Sequence, residues 1–148
     1  MGLIQSMAAT ASGLTAQRVR MDTVSANVTN IDTTRTADGS GPYLRHIVRF
    51  ANGDSALPFA QVAEKFMGAP STGVVLTQVA VDTATPTRRQ YDPAHPDADQ
   101  DGFVELPNID LVTEMTDLTS ANRSYQANAT VLNAIKQMAL RALDIGNR

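Results

Sequence analysis

The run NIDLVTEMTDLTSANRSYQANATVLNAIKQMALRALDI, residues 108–145, decides the fold. Within it Leu111, Met115, Leu118, Asn122, Tyr125, Ala129, Leu132, Ile135, Met138 and Ala142 recur at intervals of three and four, the spacing that aligns one face of an α-helix. Pro107 and Asn108 supply a stop and a cap before it. Asp110, Glu114 and Asp117 stand in the first turns and Lys136, Arg141 and Arg148 toward the end, each sign where the helix macrodipole favours it. Gly146 is expected as the C′ residue that closes the helix. A helix of about 38 residues spans roughly 55 Å, against an average of ~10–14 residues in globular proteins. Such a stripe needs a partner of similar length.

The other end of the chain offers one. From Gly2 to Ile31 there is no proline, and Leu3, Met7, Leu14, Met21, Val24, Val28 and Ile31 occupy two positions of a seven-residue register. Polar Thr10 and Gln17 fill the same register, while Ala8, Ala9, Ala11 and Ala16 keep the flanks thin enough for close helix approach. Thr10, Ser12, Gly13 and Thr15 lower the helix propensity of the first half. The expected fold is mainly α with a small β-rich insert, in which long N- and C-terminal helices pair as an antiparallel coiled coil. Its segments are residues 1–31 and 107–148 for the two helices and 32–106 for an irregular antiparallel β middle region. An intramolecular hairpin and association with neighbouring subunits both satisfy these stripes, and periodicity alone does not choose.

In the middle the helical period stops and Gly, Pro, Asp and Thr become frequent. TADGSGP at 36–42 reads as a turn-rich linker, Tyr43 to Phe50 alternates as a strand does, and Val74 to Val81 is a β-branched strand between Gly73 and Pro86. Pro58 to Met67 fits a strand or a short helix.

Composition narrows the function. The chain has 148 residues, 43% hydrophobic but only 5% aromatic and without tryptophan, which suits slender helices better than a large core. A net charge of −3, with Lys65 and Lys136 the only lysines, argues against nucleic acid as a partner. The absence of cysteine excludes disulfides, thiolate metal sites and cysteine nucleophiles. The N-terminal run lacks the basic and apolar regions of a cleaved signal peptide, and no uncharged apolar stretch is long enough to span a bilayer, so direct membrane insertion is not expected.

Candidate chemistry is sparse. Asp97, Asp99, Asp101 and Gly102 resemble the first half of an EF-hand loop, which gives the alternative function of a calcium-binding interaction module. Position twelve falls on Asn108, which has no bidentate carboxylate, and Pro93 and Pro96 break the entering helix; an acidic, solvated turn is the competing reading. His46 and His95 lack the spacing of a zinc site or a nucleophile and base, so a small hydrolase built on Asp and His groups has no convergent constellation. His46 beside Arg45 and Arg49 reads as a solvated strand edge or a basic patch facing a partner, and His95 between prolines as a loop residue. No phosphate-cradling glycine motif occurs. No catalytic residue, metal, cofactor or small-molecule substrate is expected. Asn122, Tyr125 and Asn128 place polar groups on or beside the second stripe, as Asn27 and Asn30 do on the first. Polar seam groups fix register between helices, and the edge of the stripe is their other possible place.

These residues also carry a resemblance. SANVTNIDTT at 25–34, built around two asparagines three apart, is similar to the terminal motif of bacterial flagellar axial proteins, and SGLTAQRVRM at 12–21 to the same family's first helix. YDPAHPDADQDGFV at 91–104, PNIDLVTEM at 107–115, ANRSYQAN at 121–128 and VLNAIK at 131–136 resemble the proximal-rod members of that rod and hook family. Roughly half of the chain is covered, with residues Arg49 to Thr72 outside any pattern. The resemblance implies a structural subunit of the basal-body rod, exported through the flagellar type III apparatus without a cleaved signal and assembled across the periplasm into a helical shaft that carries torque from motor to hook. Its partners would be other rod proteins and copies of itself. The implied subunit interface is Leu14, Met21, Val24, Asn27, Val28, Asn30, Ile31, Leu111, Met115, Leu118, Asn122, Tyr125, Asn128, Leu132 and Ile135.

Overall fold

The computed structural model describes residues 2–37, 39, 41–53 and 73–146. Two long helices frame two small hairpins: α1 is Leu3–Thr29, β1 His46–Asn52, β2 Val74–Val81, β3 Arg88–Tyr91, β4 Phe103–Leu106 and α2 Leu111–Gly146. The helices run antiparallel. Gly13 lies against Asn128, Arg20 pairs with Asp117 and Asn27 bonds Glu114, so positions rise along α1 as they fall along α2. Small residues permit the approach: a Cβ on Gly13 would lie 3.0 Å from Asn128 Nδ2. Ala16, Val24, Ala121 and Ile135 are buried along the pair. A second buried group, Val104, Leu106 and Ile109, ties the last strand to the start of α2.

Three boundaries differ from the sequence expectation. The strand expected at Tyr43–Phe50 begins at His46 and runs to Asn52, because the residues before it are held by other groups: Tyr43 N–H donates to Thr33 O and Arg45 N–H to Asn108 Oδ1. Asn108 is not the cap of α2. Its amide instead donates to Asp82 O and Thr85 O, clamping the chain after β2, while Asp110 Oδ2 caps the helix by accepting Thr113 N–H at 3.1 Å. Gly146 lies within α2, not beyond it.

The strand at Val74–Val81 forms as expected and pairs antiparallel with β1, from His46 opposite Val81 to Asn52 opposite Val74, with a bulge between Arg49 and Phe50. The hairpin is docked on α1 where Val74 N–H donates to Ser12 Oγ at 3.0 Å. Gly73, at φ 141°, brings the chain there, and a side chain at that position would overlap Ser12. The second hairpin pairs β3 with β4, Arg88 opposite Leu106 and Tyr91 opposite Phe103. The stretch expected as strand or helix at Pro58–Met67 lies outside the described residues.

Candidate functional site

Two features concentrate chemistry and exposure: a polar junction where α1, β1 and α2 meet, and an apolar surface along the helices.

The junction is built around Asn27, near the end of α1 and 0% exposed. Its amide nitrogen donates to His46 O at 2.9 Å and to Glu114 Oε2 at 3.0 Å. Its oxygen accepts His46 N–H at 2.9 Å and Tyr43 O–H at 3.3 Å. Both donors and both acceptor positions of the side chain are thus engaged. Glu114 is also 0% exposed, and its other oxygen accepts Arg45 Nε–H at 2.6 Å. Arg45 reaches Asp117 at 3.7 Å, and Asp117 in turn holds Arg20 at 2.8 Å. Burial and the nearby Glu114 carboxylate push the Tyr43 hydroxyl above its ordinary value. The solvated edge expected at Arg45 and His46 is therefore corrected: Arg45 is drawn inward to a buried carboxylate, and His46 is half-buried against the Tyr43 ring, 5.0 Å away, with Nδ1 unpaired among the described residues.

The acidic loop does not gather its carboxylates. Asp97 accepts Thr34 O–H at 2.8 Å and pairs with Arg35 at 2.7 Å, whereas Asp99 pairs with Arg89 at 2.9 Å. The Asp99 carboxyl is held below its ordinary range by N–H donation from Phe103 first, then from Asp101, and by Arg89. Arg89 also lies over the Phe103 ring, 4.9 Å from its centre. Among the described residues no three His, Asp or Glu side chains are placed to hold a metal. This geometry does not support the calcium reading, because Asp97 and Asp99 are turned to separate arginines. His95 sits in the same loop, accepting Asp97 N–H on Nδ1.

The expected interface residues divide into three sets. Val24, Asn27 and Ile135 are buried inside the chain's own helix pair. Leu14, Met21, Val28, Asn30, Ile31, Leu118, Tyr125, Asn128 and Leu132 are half-buried, and Leu111, Met115 and Asn122 are exposed. Met21, Leu118 and Tyr125 share an open groove of about 460 Å³ with Arg18, Asp22 and Ser25. A second groove, about 520 Å³, runs along α2 from Val112 and Met115 past Thr116, Thr119 and Ser120 to Arg123 and Ser124. Thr116, Thr119 and Ser124 turn their hydroxyls back to helix carbonyls at 2.8, 2.9 and 2.9 Å. These three hydroxyls are therefore spent on the helix itself, and the face presents a thin profile that suits a packed helix.

Sequence reasoning missed Val112, Val131, Leu140 and Leu143 on α2, and Ile4, 82% exposed, on α1. They lie off the two-position stripe, and the readable signal was apolar content beyond it. It also missed the exposure of β2, where Val74, Val75, Leu76, Val79 and Val81 are exposed. Among the described residues no helix is long and apolar enough to cross a membrane.

Comparison with known proteins bears on both ends of this architecture. Residues 7–35, which cover most of α1 and the turn after it, match the family described as flagella basal body rod protein. Residues 100–145, from the second hairpin through α2, match the flagellar basal body rod FlgEFG protein C-terminal family. Over nearly the whole chain it is similar to proteins named flagellar basal-body rod protein FlgC. The Borreliella burgdorferi relative is 43% identical, covering 98% of each chain. Those of Bacillus subtilis and Escherichia coli are 41% and 36% identical, covering 99% of each.

Proposed function

Because the chain belongs to the FlgC family of flagellar basal-body rod proteins and is a structural subunit of the rod, we propose that its α1–α2 pair stacks on the pairs of neighbouring rod subunits. The contacts bury Leu111, Met115, Leu118 and Tyr125 together with the α1 residues Leu14, Met21 and Val28. The observation that carries this reading is the outward apolar surface of α2, where Val112 is 72% and Met115 57% exposed beside a groove whose Thr116, Thr119 and Ser124 hydroxyls are turned back to the helix. Among the described residues nothing covers it. Neighbours are copies of this chain and other rod proteins. A contact between unlike faces of successive subunits builds an open helix, as a shaft requires, and not a closed ring. Torque then passes through many packed side chains, and no chemical step is needed.

The same reading places the chain in the rod across the periplasm, delivered unfolded by the flagellar type III apparatus without a cleaved signal. The exposed valines of β2 lie to the side of the helix pair and supply lateral contacts.

The test is deletion of the gene in its host, with basal bodies isolated for electron microscopy and wild type restored from a plasmid. Loss of motility with no complete rod, reversed by the plasmid, is expected. Motile cells with intact rods would overturn the reading.

A further inference from the structure

We infer that the buried Asn27–Glu114 pair is a register latch, which selects one antiparallel alignment of α1 on α2 and makes docking of the β1–β2 hairpin conditional on that alignment. The apolar seam cannot make this selection unaided. Its buried members, Ala16 and Ala121 above all, are small, and the stripes repeat every seven residues. A slip by one heptad therefore exchanges like for like and loses little apolar contact.

Polar groups discriminate where the seam does not. In the observed alignment Asn27 meets Glu114 on α2, and also both main-chain groups of His46 at the first residue of β1. One heptad away in one direction, Arg20 would face Glu114. The carboxylate would be satisfied, but Asn27 would move opposite Pro107, whose side chain offers its amide no acceptor, and the His46 N–H and C=O would lose their partner. The opposite slip sets Asn27 against Ala121, which has no polar side chain, and carries Glu114 past the end of α1, away from Asn27. Both alternatives strand buried polar groups, and that penalty exceeds what a single hydrogen bond gains in net terms. Because the same amide grips α2 and β1 at once, the strand finds its partner only on a correctly aligned helix pair. Arg45, reaching Glu114 from the residue before β1, adds a second tie between strand and helix.

The test exploits a chain without cysteine. Gly13→Cys with Asn128→Cys reports the observed alignment, since these positions are in contact. Gly13→Cys with Ala121→Cys, or with Ile135→Cys, reports a slip of one heptad in either direction. Each full-length pair is oxidised with diamide at low protein concentration, and intramolecular closure is scored on non-reducing gels. In the otherwise native chain the 13–128 pair alone should close. The latch is then replaced by apolar groups of similar size in the double variant Asn27→Leu/Glu114→Met, which removes the Asn27–Glu114 bond without leaving either of these two side chains as a buried orphan, while the His46 main chain and Arg45 lose their ties to the helices. The expected result is retained helical circular dichroism, with closure at 13–128 falling about fivefold or more relative to the slipped pairs. Unchanged, exclusive closure at 13–128 would overturn the proposal. So would loss of the helical signal, because the pair would then supply stability and not choice of alignment.

Discussion

Arg45 places its Nε 2.6 Å from Oε1 of Glu114, a carboxylate 69 residues further along the chain and closed off from solvent. This contact fastens the entry to β1 onto the first turn of α2. Removing the cation leaves a buried carboxylate with only the Asn27 amide as a partner. Arg45→Met is expected to cost about 2–4 kcal/mol, toward the lower end for a buried pair because the arginine is itself partly solvated. Urea denaturation of the purified chain measures it. Arg45→Met/Glu114→Met should cost less than Arg45→Met alone, and equal losses would mean that the carboxylate is not the group left stranded.

The helices were legible in the sequence because their signal is local and repeated. The three- and four-residue spacing of Leu111 to Ala142, and the proline-free stretch before Ile31, need no knowledge of what they touch. Val74–Val81 was legible for the same reason, its β-branched run being bounded by turn residues. The junction was not. That Asn27 would turn inward to His46 and Glu114, and that Asn108 would hold Arg45 and leave the cap of α2 to Asp110, depends on contacts 19 to 87 residues apart. An asparagine reads alike in sequence at a seam, an edge or a buried junction. The Asp97–Asp101 loop left two readings open for a related reason: spacing shows carboxylates in alternation but not the arginines, at 35 and 89, to which Asp97 and Asp99 turn.

Acid should loosen the fold through three carboxylates held below their ordinary 3.8. Asp82 is lowered by the Thr85 hydroxyl and then its N–H, Asp110 by the same two groups of Thr113, and Asp99 by Phe103 N–H first. Each binds its proton less readily when folded than when unfolded. Below the ordinary value the unfolded chain therefore takes up more protons, and stability falls with falling pH. Their contribution is complete above about pH 4–5 and is lost as pH drops through the folded values. The variant Asp82→Asn/Asp99→Asn/Asp110→Asn should flatten the acid limb of the urea midpoint between pH 5 and 2, and asparagine still caps α2. An unchanged acid limb would place the acid sensitivity elsewhere.

Gly73 is a point where backbone and packing agree on glycine. Its φ of 141° is disfavoured for other residues, and a Cβ there would strike the Ser12 hydroxyl that receives Val74 N–H. Gly73→Ala is expected to cost about 1–3 kcal/mol. Hydrogen exchange should rise in β1 and β2 while α2 stays protected. Adding Ser12→Ala removes the obstructing oxygen, so the pair should cost less than the sum of the single changes. Full additivity would show that the contact does not matter.

Assembly separates the outer face of α2 from the residues that hold the subunit together. Met115 is 57% exposed on a helix whose inner face already carries the buried Glu114 and Ala121. A charge at Met115 meets water in the free chain, so Met115→Asp should change its urea stability by no more than about 0.5 kcal/mol. In a rod the same carboxylate would be enclosed between subunits without a partner, at a cost of several kcal/mol per contact. Repeated along the shaft, that penalty should abolish rods and motility although the protein is made at its normal level. Leu118→Asp, in the groove with Met21 and Tyr125, should block rods as well but also lower monomer stability, because Leu118 is half-buried within the pair. Basal bodies counted by electron microscopy in both strains decide the matter, and normal rods carrying Met115→Asp would remove this face of α2 from the subunit contact.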